Sequence, residues 1–427
     1  MPTVSRDLPD RPHIDIPKRL SRELLKEFRA GNPEALDRIQ RRHPKFKRVD
    51  LEVLRSAEFR LSDAQLVIAR EYGLSNWTQL KERFAGSEVT ALLVKAIRAD
   101  DRETVVQVLQ KHPSFLHIPV WSGNWGPPMS HAANLGRLEI IKAVAALGAR
   151  DFQHAFDRAL LQGQLETARW LHEQGAKCVP GIVMGACETL NPRGLSFLAE
   201  LKAPFTDAAG DRLAPLALVL GTYGRHPAGK HDVLKIFAQQ GYSFPDTPIV
   251  AFHRGDAARL REFLRDDPRL LNRRFPLSEI YPAALGCPAE NPGMCGTPIE
   301  GNTLLQLAID FDEQEIFDLL LAEGADVNAR ATVDSAGFGG HTPLFNAVIS
   351  CASISGRQRD GAMTRALLER GALPGLRASV RKFLDWQEKP VWHEARDVTP
   401  LEWAEGFPHS NWVNPTAVQM IREQLAS

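Results

Sequence analysis

Residues 301–330 read GNTLLQLAIDFDEQEIFDLLLAEGADVNAR, and this stretch decides the fold. From Thr303 onward, Leu304, Leu305, Ala308 and Ile309 recur at the spacing of one helical face. Three acids, Asp310, Asp312 and Glu313, interrupt the pattern. A second apolar stripe follows at Ile316, Phe317, Leu319, Leu320 and Leu321, and it stops at Gly324, a residue type that ends helices in left-handed backbone. The reading is a hairpin of two short helices. Such a hairpin buries too little apolar surface to stand alone, so it must stack on further copies of itself.

Copies are present on both sides. A small residue recurs in the first helix of each unit, where that helix packs backbone-close on its neighbour: Ala96, Ala132, Ala159, Ala186, Ala217, Ala251, Ala308, Ala347 and Ala404. Gly148, Gly175 and Gly324, each followed by alanine, stand sixteen residues after three of these anchors. Pro128, Pro343 and Pro400 open first helices, where proline suits the first turn, and Thr342 and Thr399 can cap that turn. The GADVNAR ending, the Thr-Pro openings and the whole of 301–330 resemble an ankyrin repeat. The resemblance implies an all-α, ankyrin-type helical solenoid of about nine degenerate units over residues 89–427. It also implies protein–protein recognition through the concave face and the loops between repeats.

The sequence departs from that family in informative ways. The histidine of the family's Thr-Pro-Leu-His motif is replaced by Gln306, Phe345 and Glu402, so some local hydrogen bonds must be made differently. Ala132, Ala159 and Ala186 are only 27 residues apart, short of the usual period of roughly 33. Ala251 to Ala308 and Ala347 to Ala404 each span 57, the excess falling at 276–302 and 378–398. Two further units are stretched between their helices by GTYGRHPAGK and SCASISGRQRDG. Insertions in a repeat stack emerge on one face and are often the binding element.

Upstream, residues 1–88 read as an N-terminal helical module. LLKEFRAGNPEALDRIQRRHPKF, from Leu24, matches LVKAIRADDRETVVQVLQKHPSF, from Leu93, at a constant offset of 69 residues, and a weaker copy begins at His253. The segment is therefore a repeat-like hairpin that can cap the array, its glycine turn replaced by a helix-ending x-Pro. Between it and the array, LSDAQLVIAREYGLSNWTQLKERF (61–84) has the outline of a helix-turn-helix, with Ser62 and Ser75 as candidate caps. DNA binding through 61–84 is thus one alternative, although polar Gln79 and Glu82 stand where a recognition helix needs inner anchors. The segment also resembles a short helical unit that precedes ankyrin repeats in some bacterial proteins, which implies a bacterial source.

Composition narrows the classes. Lys+Arg and Asp+Glu are both 52, so there is no basic excess of the kind a nucleic-acid binder shows. No run approaches membrane-spanning length and the first residues lack an apolar leader core, so the expectation is a cytoplasmic protein without membrane attachment. Five cysteines do not make a disulfide framework; Cys287 and Cys295 share one loop at a spacing foreign to common zinc sites, leaving thiols, a redox pair or a metal as readings. No cofactor is expected. Neither G-x-S-x-G nor H-E-x-x-H occurs, and the glycine-rich DSAGFGGH (334–341) lacks the Gly-Lys-Ser/Thr ending of a phosphate loop, so it reads as a finger between repeats.

What remains is a set of recognition candidates. Tryptophans cluster in inter-repeat loops rather than helices: Trp121 and Trp125 beside Asn124, and Trp386 and Trp392 beside His393. Indole surfaces with a polar handle favour recognition sites, and they equally serve as lids over the core beneath long loops. With Phe338 and His341 of the finger, these residues form the expected contact surface for a protein partner. The alternative is an enzyme or small-molecule binder, with the loops at 121–128, 276–302 and 378–398 roofing a pocket, and with His341, His393, Glu394 and Asp397 as an acid/base or metal set.

Overall fold

The computed structural model describes residues 15–47, 49–120, 125–288, 297–354, 356–358, 360–384 and 391–426. The chain divides into two compact units, residues 1–158 and 159–427.

In the first unit, helices Asp15–Arg29 and Pro33–Arg42 form the N-terminal hairpin, and both pack on helix Leu61–Glu71. Their core holds Leu24, Phe28, Ile39, Phe46, Phe59, Ile68 and Phe84. The likeness between residues 24 and 93 extends to local detail. Asn32 caps the second helix of one hairpin and Asp101, at the same offset, caps that of the other. The helix-turn-helix outline is realised with shifted caps. The first helix starts at Leu61, with Asp63 accepting from the Arg60 amide, and the second is capped by Asn76 in place of Ser75. That second helix, Trp77–Arg98, runs on without a break into the first array unit. Its inner side carries Leu80 and Phe84, both buried.

All nine small-residue anchors lie in the first helix of a helix pair; eight are buried and Ala217 is half-buried. The expected helical-repeat fold is observed. The turn between paired helices has one recurring device: the residue two positions before the second helix is left-handed at Gly31, Asp100, Gly136, Gly163, Leu190, Gly255 and Asp312. This conformation reverses the chain in the fewest residues. At Gly255 it is also enforced sterically, since a Cβ would lie 2.1 Å from the His231 ring.

In the second unit, helices Leu304–Asp310 and Gln314–Ala322 make the repeat on which the fold reading rests, with every residue of the first helix buried. Thr303 and Gln306 form a capping box at its start. Gln306, at the family's histidine position, also donates from Nε2 to the His341 carbonyl at 2.9 Å. The replacement bond joins this repeat to the finger that follows it.

The two stretched insertions do not project as free loops. They fold back onto the acidic turn Asp310–Glu313, because buried carboxylates need partners. Arg225 donates to Asp310 Oδ2 and to the Asp310 carbonyl, each at 2.9 Å, and its side chain and that of Asp310 are 2% and 0% exposed. Lys230 reaches Glu313 at 2.5 Å, His231 lies 3.0 Å from the same carboxylate, and the Phe311 ring sits beneath both Arg225 and Lys230. From the other side Arg357 pairs with Asp312, and Gln358 donates to the Ile309 carbonyl. Burial alone would raise the Glu313 carboxyl, but the Lys230 charge and the His231 contact hold it below the ordinary carboxylate range.

Residues 378–398, read from sequence as a long connecting loop, contain a β-hairpin. Strand β1 (Ala378–Leu384) pairs antiparallel with β2 (Val391–Val398), with a bulge opposite Ala378/Val380 where Asp397 takes a left-handed φ of 47°. Ala378, Val380, Lys382 and Leu384 form its buried side.

Candidate recognition cleft beside the finger

The finger 331–341 leaves the 301–330 repeat through Arg330, whose Nη1 donates to the Gly340 and Arg377 carbonyls. Its tip is tied by Asp334. Oδ1 accepts the Ala336 and Phe338 amides at 2.8 and 2.9 Å, and the Asp334 amide donates to the Phe338 carbonyl. Those amides and the Arg381 guanidinium outweigh burial, which acts first and upward, and hold the Asp334 carboxyl below its usual value. Gly339 then donates its amide to the Ser379 carbonyl at 2.7 Å, bridging the finger to β1. Only glycine fits there: φ is +120° and a Cβ would stand 1.9 Å from the Thr332 carbonyl oxygen.

Finger, hairpin and the 276–302 insertion border one cavity of about 340 Å³. One wall is Leu277, Pro298 and Ile299; the other is Phe338, Phe383 and Trp392. Phe383 and Trp392 are a cross-strand pair with ring centroids 5.2 Å apart. The Arg381 guanidinium lies over both Phe338 (4.7 Å) and Trp392 (5.0 Å), and it is held there by Asp334 at 2.8 Å. Arg396 lies over Phe338 at 4.1 Å. The wall is thus a set of packed planar groups whose guanidinium is positioned by an ion pair, which lowers the ordering entropy lost on binding. Trp392 remains 52% exposed at the rim.

The structure therefore brings Phe338, His341 and Trp392 together and assigns them different parts. His341 is the deep residue, 1% exposed, with Nε2–H donating to Asn302 Oδ1 at 2.8 Å. Burial pushes its pKa down to about 4, against a smaller opposing pull from the Pro298 carbonyl, so the ring is neutral at pH 7. His393 is adjacent in sequence to Trp392 but points to the other side of β2, stacked 5.1 Å from Trp403 and against Phe407. Burial, and then the nearby His409, lower its pKa. Glu394 faces Arg381 at 4.0 Å and Asp397 pairs with Arg377 at 3.1 Å. The four residues weighed as an acid/base or metal set do not converge, because period-two alternation along β2 sends His393 and Glu394 to opposite faces. Among the described residues no cluster of three metal-ligating side chains occurs.

Trp125 belongs to the first unit. Its ring lies 4.9 Å from His131, with the Arg158 guanidinium 5.9 Å away over the ring. His131 is fully buried, and burial followed by the charges of Arg98 and Arg158 takes its pKa down to about 4. Trp121, Asn124 and Trp386, also expected at the contact surface, lie outside the described residues, as does Cys295. Cys287 is a buried free thiol whose pKa burial pushes up to about 12, so it stays protonated.

Sequence reasoning missed Arg381, Phe383 and Arg396, the groups that shape the aromatic wall. The available signal was alternation in ASVRKFL, and it is masked by Lys382, a charged residue on the buried side of β1.

Among the described residues no helix is long and apolar enough to cross a membrane. The family model of the ankyrin repeat matches residues 300–332. Among solved structures, the crystal structure of the human ASB11 ankyrin repeat domain is similar at 17% identity, covering 69% of this chain and 97% of that chain with a TM-score of 0.26. No curated protein matches the chain. The chain thus carries an ankyrin repeat at 300–332, set among nine helix pairs built on the same small-residue anchor.

Proposed function

We propose that this protein is a recognition module that binds a protein partner in the cleft between the finger 331–341 and the hairpin 378–398. Ankyrin repeats are in general modules of protein–protein interaction. The observation that carries the reading is Trp392, half-exposed at the rim of an apolar cavity whose wall is already held by the Asp334–Arg381 pair. Exposed aromatic anchors beside a rigid pocket are the usual centres of binding energy. Trp125, in the first unit, is a separate candidate contact. The unpaired buried thiol of Cys287 is in keeping with a reducing, cytoplasmic setting.

The test is affinity capture from the native host with the wild-type chain, then quantitative binding of the captured partner to Trp392→Ala and Trp125→Ala. A hot-spot tryptophan is worth about 2 kcal/mol or more, so Trp392→Ala should weaken binding roughly thirtyfold. Unchanged affinity in both variants refutes the site.

One observation favours a second reading. Two of the long insertions, 276–302 and 378–398, border a single cavity whose volume lies at the low end for small-molecule sites, roughly 300–1,000 Å³. A small molecule would then occupy the cleft as a bound ligand. Thermal stabilisation by members of a metabolite panel, lost in Phe338→Ala, would support this reading over the first.

A further inference from the structure

Strand β2 is the outer strand of its sheet. The finger bridges β1 at Gly339↔Ser379 and β1 pairs with β2. Among the described residues, no other strand, isolated bridge or backbone hydrogen bond engages residues 391–396. The side chains along this edge are open: Val391 and Trp392 are 47% and 52% exposed, and Glu394 and Arg396 are also exposed. Open edges of this kind are templates for pairing, and natural chains blunt them with proline, lysine or charges that repel a second copy.

A bulge at Asp397 closes one end of β2, but ahead of it the order of residues does the opposite. The bulge at Asp397 ends the regular edge, so lay residues 392–396 antiparallel against themselves with Ala395 on the two-fold axis. Glu394 then faces the Arg396 of the mate, and Arg396 faces its Glu394, so the charge match is made twice. Directly opposed cross-strand pairs are the unit of sheet stabilisation, and in an isologous pairing each favourable pair counts twice. Ala395, the smallest side chain of the strand, occupies the one position that meets itself.

We propose that β2 pairs with the β2 of a second copy of this chain, giving a two-fold dimer through a continuous sheet. The axis is perpendicular to the sheet, so both Trp392 side chains lie on the same face. They are offset by six residues along the strands, about 20 Å at roughly 3.3 Å per residue. The dimer presents two recognition clefts side by side, and a partner with two matching segments binds both with avidity. The pairing depends on the strand sequence alone and stands whether the cleft takes a protein or a small molecule.

The test is sedimentation equilibrium of the full chain from low to high micromolar concentration, at low and high salt. The expected result is a monomer–dimer equilibrium weakened by salt. Glu394→Arg and Arg396→Glu, each placing like charges opposite one another twice, raise the dimer dissociation constant about tenfold. The double exchange Glu394→Arg/Arg396→Glu restores it. Both side chains are exposed, and the melting temperature of each variant reports whether folding is intact. A second measurement uses Ala395→Cys, whose thiol meets its own mate across the axis at a spacing suited to a disulfide. Oxidation should give a covalent dimer whose linked peptides both contain position 395. A chain that stays monomeric throughout overturns the proposal. So does a dimer indifferent to the single exchanges, or one that the double exchange fails to restore.

Discussion

Removing the Asp310 charge is the sharpest test of how the central repeat is held. Asp310 and Arg225 are essentially unexposed, and Arg225 is drawn from an insertion 85 residues away in sequence. Asp310→Asn keeps the volume and leaves the guanidinium its bonds to the Asp310 and Thr222 carbonyls and its stacking on Phe311. What it removes is the compensating charge. A buried charge left uncompensated costs about 3–5 kcal/mol. At roughly 2–4 °C per kcal/mol for a unit of this size, the transition of the second unit should fall by about 6–20 °C. Paired replacement by apolar groups, Arg225→Met with Asp310→Leu, removes both desolvation penalties and should lie within about 2 kcal/mol of wild type. The assay is calorimetry of the full chain, following the transition that moves. An Asp310→Asn protein melting within a degree or two of wild type refutes the buried ion pair, as does a double variant no better than the worse single one.

Acid should destabilise the second unit through its neutral histidines. His253, donating to the Ile280 carbonyl, and His341 have pKa values pushed by burial down to about 3 and about 4. The unfolded imidazole titrates near 6.5, so the unfolded state takes protons first. Their contribution is complete above that pH and is lost as pH falls from 6.5 towards 4. At pH 5 each imidazole accounts for about 2 kcal/mol. Urea titrations at pH 7.5 and pH 5 should differ accordingly, and His253→Gln should shrink that difference; an unchanged difference rules out the role. Gly339→Ala drives a Cβ into the Thr332 carbonyl in backbone that disfavours it, and should cost roughly 2–4 kcal/mol. Hydrogen exchange should localise the loss to the finger and β1; uniform or absent loss argues against the bridge.

The repeat architecture was legible because its signals are local. The 3.6-residue period around Ala308, the small anchors and the prolines at first turns each act within a dozen residues, and the structure puts every anchor in a first helix. The cleft was half legible. Phe338, His341 and Trp392 were found as residue types in unusual places, yet His341 proved to be a neutral core histidine and His393 a half-buried ring stacked on Trp403. Burial decides that state, and burial is not a property of spacing.

By itself, then, the chain's order of residues determined the helical hairpins and the small-residue anchors of their first helices. Only the tertiary structure decided where the insertions go. The same GTYGRHPAGK that reads as a projecting loop is drawn inward, because Asp310 and Glu313 are buried by their own helix pair and must find cations. Likewise 378–398 becomes a hairpin rather than a loose connection, since Gly339 offers β1 a backbone partner that no local pattern announces. Helices satisfy their own hydrogen bonds and can be read one at a time. Strands and buried charges are satisfied only by residues far along the chain.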